Sequence, residues 1–112
     1  MKATENNCPV EITLQLIGSK WKVLIIRELL TGTRRFGKLF KGISGISQKM
    51  LTQQLRQMEK DGLINRKVYA QVPPKVEYSL TEKGRSLESV LEAMNQWGEQ
   101  HIHSNKCETT TS

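Results

Sequence analysis

Cysteine is scarce in this chain: there are two in 112 residues, Cys8 and Cys107, near opposite ends. Such a pair does not make the disulfide framework of a small secreted domain, so any thiol chemistry must be local or between chains. No apolar run approaches the roughly 20 residues of a membrane span. The opening Met-Lys-Ala-Thr-Glu-Asn-Asn also lacks the apolar core of a signal peptide. A cytoplasmic protein without membrane contact is therefore expected. There is no phosphate-binding glycine loop and no zinc-protease motif, and no motif supplies Cys8 with a base, so an enzyme is not expected. His101, His103 and Cys107 are ligand types, but at a helix end and tail they do not make a site; neither metal nor cofactor is expected.

What is present in excess is positive charge, and it is concentrated. The net charge is +6, yet residues 34 to 75 alone hold ten Lys or Arg against Glu59 and Asp61, a local +8 that leaves −2 for the rest. A basic segment of this kind points to a polyanion partner, because neutralised phosphates release condensed counterions and the field steers approach. A merely soluble basic surface is the plainer alternative. Hydrophobic residues make up 37% of the chain, enough for one small core that would gain from a partner subunit.

Along the chain, residues 1 to 7 and 104 to 112 are polar and are expected to be disordered, leaving 8 to 103 as the domain. Pro9 suits a first helical position, with Val10, Leu14 and Ile17 at helical spacing before Gly18. Ser19 can cap a second helix, Lys20 to about Leu30, apolar over most of its circumference and suited to the middle of a core. Phe36, Leu39 and Phe40 mark a short third helix that Gly42 breaks. After the turn Ile43-Ser44-Gly45-Ile46, Ser47 can cap a fourth, on which Leu51, Leu55 and Met58 form an inward stripe. Asp61-Gly62 closes it. Two β-rich runs, Val68-Tyr69 and Val76 to Leu80, flank a Val72-Pro73-Pro74 tip that cannot continue a ladder. Thr81 is then expected to cap one long last helix with an apolar stripe of Leu87, Val90, Leu91, Met94 and Trp97, suited to packing against a partner.

Helix, turn, helix and hairpin in this order predict an α+β, mainly α fold: a winged helix-turn-helix with a two-stranded wing and a C-terminal dimerisation helix. The outward face of the fourth helix presents Gln48, Lys49, Thr52, Gln53 and Arg56 beside its cap, Ser47. Glutamine can pair with adenine, Arg or Lys with guanine, and threonine can touch a thymine methyl. Arg34, Arg35 and Lys38 around the third helix are candidates for gripping the DNA backbone, and Lys67, Gln71 and Lys75 for contacts from the wing. The rival reading is a winged-helix module whose same polar face meets protein.

Cys8-Pro9-Val10-Glu11, Gly18-Ser19-Lys20-Trp21, Arg35-Phe36-Gly37-Lys38-Leu39, Ile46-Ser47-Gln48-Lys49-Met50-Leu51-Thr52-Gln53-Gln54-Leu55-Arg56, Asp61-Gly62-Leu63-Ile64 and Val72-Pro73-Pro74-Lys75-Val76-Glu77-Tyr78-Ser79-Leu80-Thr81 occur in this order. Together they closely resemble the HxlR-type branch of MarR-like transcriptional regulators, over roughly residues 8 to 100. The resemblance implies a bacterial or archaeal homodimer on inverted-repeat operator DNA. It also implies an interface of first and last helices, with Val10 and Leu14 joining Leu87, Val90, Leu91, Met94 and Trp97, and in many relatives a response to electrophiles or oxidants through the cysteine matching Cys8. Cys8 has its own argument: it precedes Pro9 at a helix start, where the positive end of the dipole favours a thiolate, the reactive form. A small half-buried cysteine at a helix start is the alternative. An intersubunit Cys8 to Cys107 disulfide, two symmetric bonds, or none all remain open.

Overall fold

The computed structural model describes residues 8–106. Helix α1 (Pro9–Ile17) starts with Pro9 in its first turn and buries only Ile17; α2 (Lys20–Leu30) buries Ile25, Ile26 and Leu29. Strand β1 (Arg34–Arg35) leads directly into α3 (Phe36–Gly42), and Gly45, at φ 87°, makes the turn to α4 (Gln48–Lys60). Strands β2 (Ile64–Tyr69) and β3 (Lys75–Leu80) form the wing, followed by a short α5 (Glu82–Arg85) and a long α6 (Glu88–Lys106). None of these helices is long and apolar enough to cross a membrane.

The winged helix-turn-helix expected from the sequence is what forms. The α4 stripe of Leu51, Leu55 and Met58 meets Ile25, Ile26 and Leu29 of α2, Leu39 of α3, and Leu63, Ile64 and Leu80 at the base of the wing in one cluster. Seven of these side chains are almost wholly excluded from water, among them Ile25, Leu51 and Met58. Each such burial contributes about 1.5–3 kcal/mol before entropy is counted. Ser47 accepts the Met50 N–H at 3.0 Å to cap α4, and Gly62, at φ 79°, ends it.

Three features depart from expectation. The sheet has a third strand: Arg34 pairs with Tyr78 and Arg35 with Glu77, giving the antiparallel order β1-β3-β2. The last helix is not continuous from Thr81. Thr81 caps α5 by accepting the Gly84 N–H at 3.0 Å, but the chain then turns at Ser86 and Leu87, with Leu87 N–H donating back to Gly84 O at 3.1 Å. Within α5, the Gly84 backbone lies so close to the Leu63 carbonyl that no Cβ fits. The break rotates Leu87 and Leu91 into the chain's own core, each 8% exposed, so these two are spent inside the subunit rather than on a partner. Finally, α6 continues to Lys106, past Ser104 where the tail was expected to begin. Residues 1–7 and 107–112, Cys107 included, lie outside the described residues.

Candidate nucleic-acid interface

Because Leu51, Leu55 and Met58 fix the inner side of α4, its outer side is fixed as well. Gln48, Lys49, Gln53 and Arg56 are exposed and Thr52 is half-buried at the edge. Ser47 is exposed at the N-terminus, its oxygen accepting the cap bond while its hydroxyl proton stays available to a phosphate. A depression lined by Thr52, Leu55, Arg56, Glu59, Arg66 and Tyr78 separates α4 from the sheet. A second, lined by Gln15, Lys22, Gln53, Gln54, Arg56, Gln57 and Lys60, separates it from α1 and α2. Arg56 lies between the two. Lys60, already expected on the outward side of this helix, lines the second depression; Lys22, Gln57 and Arg66 do not follow from the sequence as part of this surface, and only the fold places Lys22 beside α4.

The flanking residues are less uniform. Lys38 is exposed on α3, and Arg35 is exposed at its N-cap. Arg34 is half-buried and turned back: its guanidinium donates to Thr31 Oγ1 at 2.6 Å and to Thr33 O at 3.1 Å, so part of its donor fork braces the turn that ends α2. On the wing, Lys67 and Gln71 are exposed, whereas Lys75 is held 3.4 Å from Glu77 Oε2. The Glu77 carboxyl lies below the ordinary glutamate range. The hydroxyl of Tyr69, donating to Glu77 at 3.0 Å, is the main cause; Lys75 and Arg35 add to it and desolvation opposes it.

At the other end of the molecule an apolar groove of about 830 Å³ runs between α1, α2 and α6, lined chiefly by Pro9, Val10, Leu14, Ile17, Val23, Leu24, Val90 and Met94. Beyond it, Trp97 stacks on His101 with ring centroids 3.8 Å apart. Val10, Leu14, Met94 and Trp97 are each more than half exposed, and Val90 is partly buried. Ile12 and Ile102, not singled out from the sequence, are exposed as well. Cys8 is exposed at the N-cap of α1, with no side-chain cap bond.

This arrangement, a basic outward helix between a wing and a short helix, matches a family model described as HxlR-like helix-turn-helix over residues 16–106. The chain belongs to that family. Among relatives of this HxlR-like protein, the uncharacterized HTH-type transcriptional regulator YdeP of Bacillus subtilis is 55% identical over 94 residues, covering 84% of this chain and 73% of YdeP. A crystal structure of the regulator ytcD superposes with a TM-score of 0.82 at 54% identity, covering 86% of this chain and 98% of that one. The redox regulator HypR in its oxidized form superposes with a TM-score of 0.77 at 52% identity, covering 83% and 96%. This HxlR-like protein is accordingly a transcriptional regulator of the MarR-like type, and its family and relatives are regulators, not enzymes.

Proposed function

We propose that this regulator binds an inverted-repeat DNA operator as a homodimer and that Cys8 tunes that binding in response to electrophiles or oxidants. The observation that carries the DNA reading is the outward face of α4, where Gln48, Lys49, Gln53 and Arg56 stand exposed along one side of a helix whose other side is locked in the core. Two such helices in a symmetric dimer would enter successive major grooves roughly 34 Å apart. Ser47, Lys49, Thr52 and Arg56 would share base and phosphate contacts, with Arg35, Lys38, Lys67, Gln71 and Lys75 on the backbone. Arg34 contributes charge from its braced position.

The dimer reading draws support from the exposed apolar side chains Val10, Leu14, Met94 and Trp97 and from the groove between α1, α2 and α6. A contiguous apolar surface of this kind is unfavourable in water until covered. Cys8 sits at the start of α1, next to Pro9, which lines that groove. Addition of an electrophile to its sulfur would alter how α1 packs and so the separation of the two reading helices.

The test uses the parent protein and a duplex selected from a randomised library, with a scrambled duplex as competitor, at two salt concentrations. Preferential binding to the selected palindrome supports the reading, and equal affinity for both duplexes overturns it. For the sensor, parent and Cys8→Ser are treated with a quinone or diamide before DNA is added. Release by the parent alone supports Cys8 as the switch; identical behaviour of the two proteins removes it.

A further inference from the structure

The outer face of the wing gathers three cations assigned above to backbone contacts, Arg35, Lys67 and Lys75, around two residues that the reading above does not use, Tyr69 and Glu77. In the β2–β3 register Tyr69 stands opposite Lys75 and Lys67 opposite Glu77, and β1 sets Arg35 opposite Glu77 from the other side. Alternate residues of a strand share a face. These side chains therefore project together, away from the face on which Ile64 and Leu80 are buried. There the Lys75 ammonium lies 4.5 Å and the Lys67 ammonium 5.1 Å from the centre of the Tyr69 ring. The Tyr69 hydroxyl donates to Glu77 Oε1 at 3.0 Å, and Glu77 Oε2 is 3.4 Å from Lys75 Nζ. Only 25% of the Lys75 side chain is exposed, although it begins a strand at the wing tip, where a lysine ordinarily extends its head into water.

We propose that Tyr69 is the positioning residue of the wing, its ring and, through its hydroxyl, Glu77 holding the ammonium groups of Lys67 and Lys75 as a pair set for nucleic-acid backbone phosphate. The inference rests on the DNA reading of the protein. Its physical basis is preorganisation. A free lysine loses rotamer entropy when a phosphate captures it, whereas one already seated on an aromatic face loses less. Two ammonium groups sharing one ring repel each other, and the Glu77 carboxylate beside Lys75 offsets that repulsion. The face is nevertheless unbalanced: Arg35, Lys67 and Lys75 surround a single carboxylate, so an anion drawn to it completes the charge pairing instead of competing with it.

The test is a fluorescence-anisotropy titration of the selected operator duplex at several salt concentrations. It compares the parent with Tyr69→Leu, Tyr69→Phe and the Lys67→Ala/Lys75→Ala pair with and without Tyr69→Leu. Removing the ring should weaken binding about fivefold. The salt slope should match that of the parent, because both charges remain. Phenylalanine, which keeps the ring, should fall between leucine and the parent. In the background lacking both lysines, Tyr69→Leu should cost nothing further. Parent-like binding by Tyr69→Leu, or an equal loss with and without the lysines, overturns the positioning role while leaving the DNA reading intact. A parent that binds no duplex overturns both, and does so before any variant is compared.

Discussion

Ser19 and Gln54 join the apolar groove to the depression beside α4. The Ser19 hydroxyl donates to Gln54 Oε1 at 3.3 Å, and Ser19 Oγ itself accepts the Lys22 N–H at 3.2 Å as the cap of α2. Ser19 lies on the wall of the apolar groove, while Gln54 lies on the polar depression beside α4. This side-chain hydrogen bond thus links α4 to the helix that forms part of the groove, beside the core packing of the same two helices. Gln54 is itself steadied by its amide, which donates to Met50 Sδ at 3.4 Å.

Replacing Ser19 with alanine should remove both cap and link, costing about 1 kcal/mol of stability in urea unfolding. Gln54→Ala should cost less, since the cap survives. Its signature should instead be functional: weaker operator binding with little change in the unfolding midpoint. Equal stability losses in the two variants would show that the link, not the cap, dominates at Ser19.

Thr81 and Gly84 hold the junction behind the wing. The Thr81 hydroxyl donates to Gly62 O at 2.6 Å and accepts the Gly84 N–H at 3.0 Å, so both of its functions are in use. Thr81→Ala should destabilise by about 1–2 kcal/mol, and Thr81→Ser should restore most of it. Gly84→Ala should cost about 2–3 kcal/mol, because its new methyl must displace the Leu63 backbone. Chemical unfolding of the three variants tests both statements.

Helix α4 was legible because every signal agreed: Ser47 as cap, Leu51, Leu55 and Met58 at helical spacing, and Gly62 where a positive φ is needed. Strand β1 was not, since two adjacent arginines carry no alternation and become a strand only by pairing with β3. The apolar series from Leu87 to Trp97 reads in sequence as one surface. Its period does not reveal that a turn at Ser86 and Leu87 interrupts the helix and that Leu87 and Leu91 are buried in the core. The outward residues of α4 followed directly from its inward stripe. Lys22 and the Tyr69–Glu77 contact did not, because they depend on helix packing and on strand register.

Glu77 should leave a mark on the acid side of the stability profile. Its folded carboxyl gives up its proton at lower pH than in the unfolded chain, chiefly because the Tyr69 hydroxyl donates to it, with Lys75 and Arg35 adding to the effect. The unfolded state therefore binds more protons over that interval, and stability falls as pH drops. The contribution is complete at neutral pH and is lost as pH falls through the folded value. Glu77→Gln should flatten this part of the acid limb, and Tyr69→Phe should flatten it in part; thermal melts between neutral and strongly acidic pH measure both.

Base-reading and phosphate-binding residues should separate in their response to salt. Lys38 is exposed on α3, outside the reading helix, and its expected partner is a backbone phosphate. Lys38→Ala should weaken selected and scrambled duplexes by similar factors and reduce the slope of log affinity against log salt by about 1. Gln53 is uncharged and exposed on α4, where its amide can pair with adenine. Gln53→Ala should leave the slope unchanged and cost about 1–3 kcal/mol on the selected duplex, with little loss on the scrambled one. Arg56 lies between the two depressions beside α4, where it can serve either role. If it reads guanine, Arg56→Ala should cut discrimination as Gln53→Ala does; if it grips phosphate, both duplexes should weaken together with a reduced slope. Anisotropy titrations of the three variants on both duplexes therefore assign each side chain, and a uniform loss from Gln53→Ala would remove it from the base-reading set.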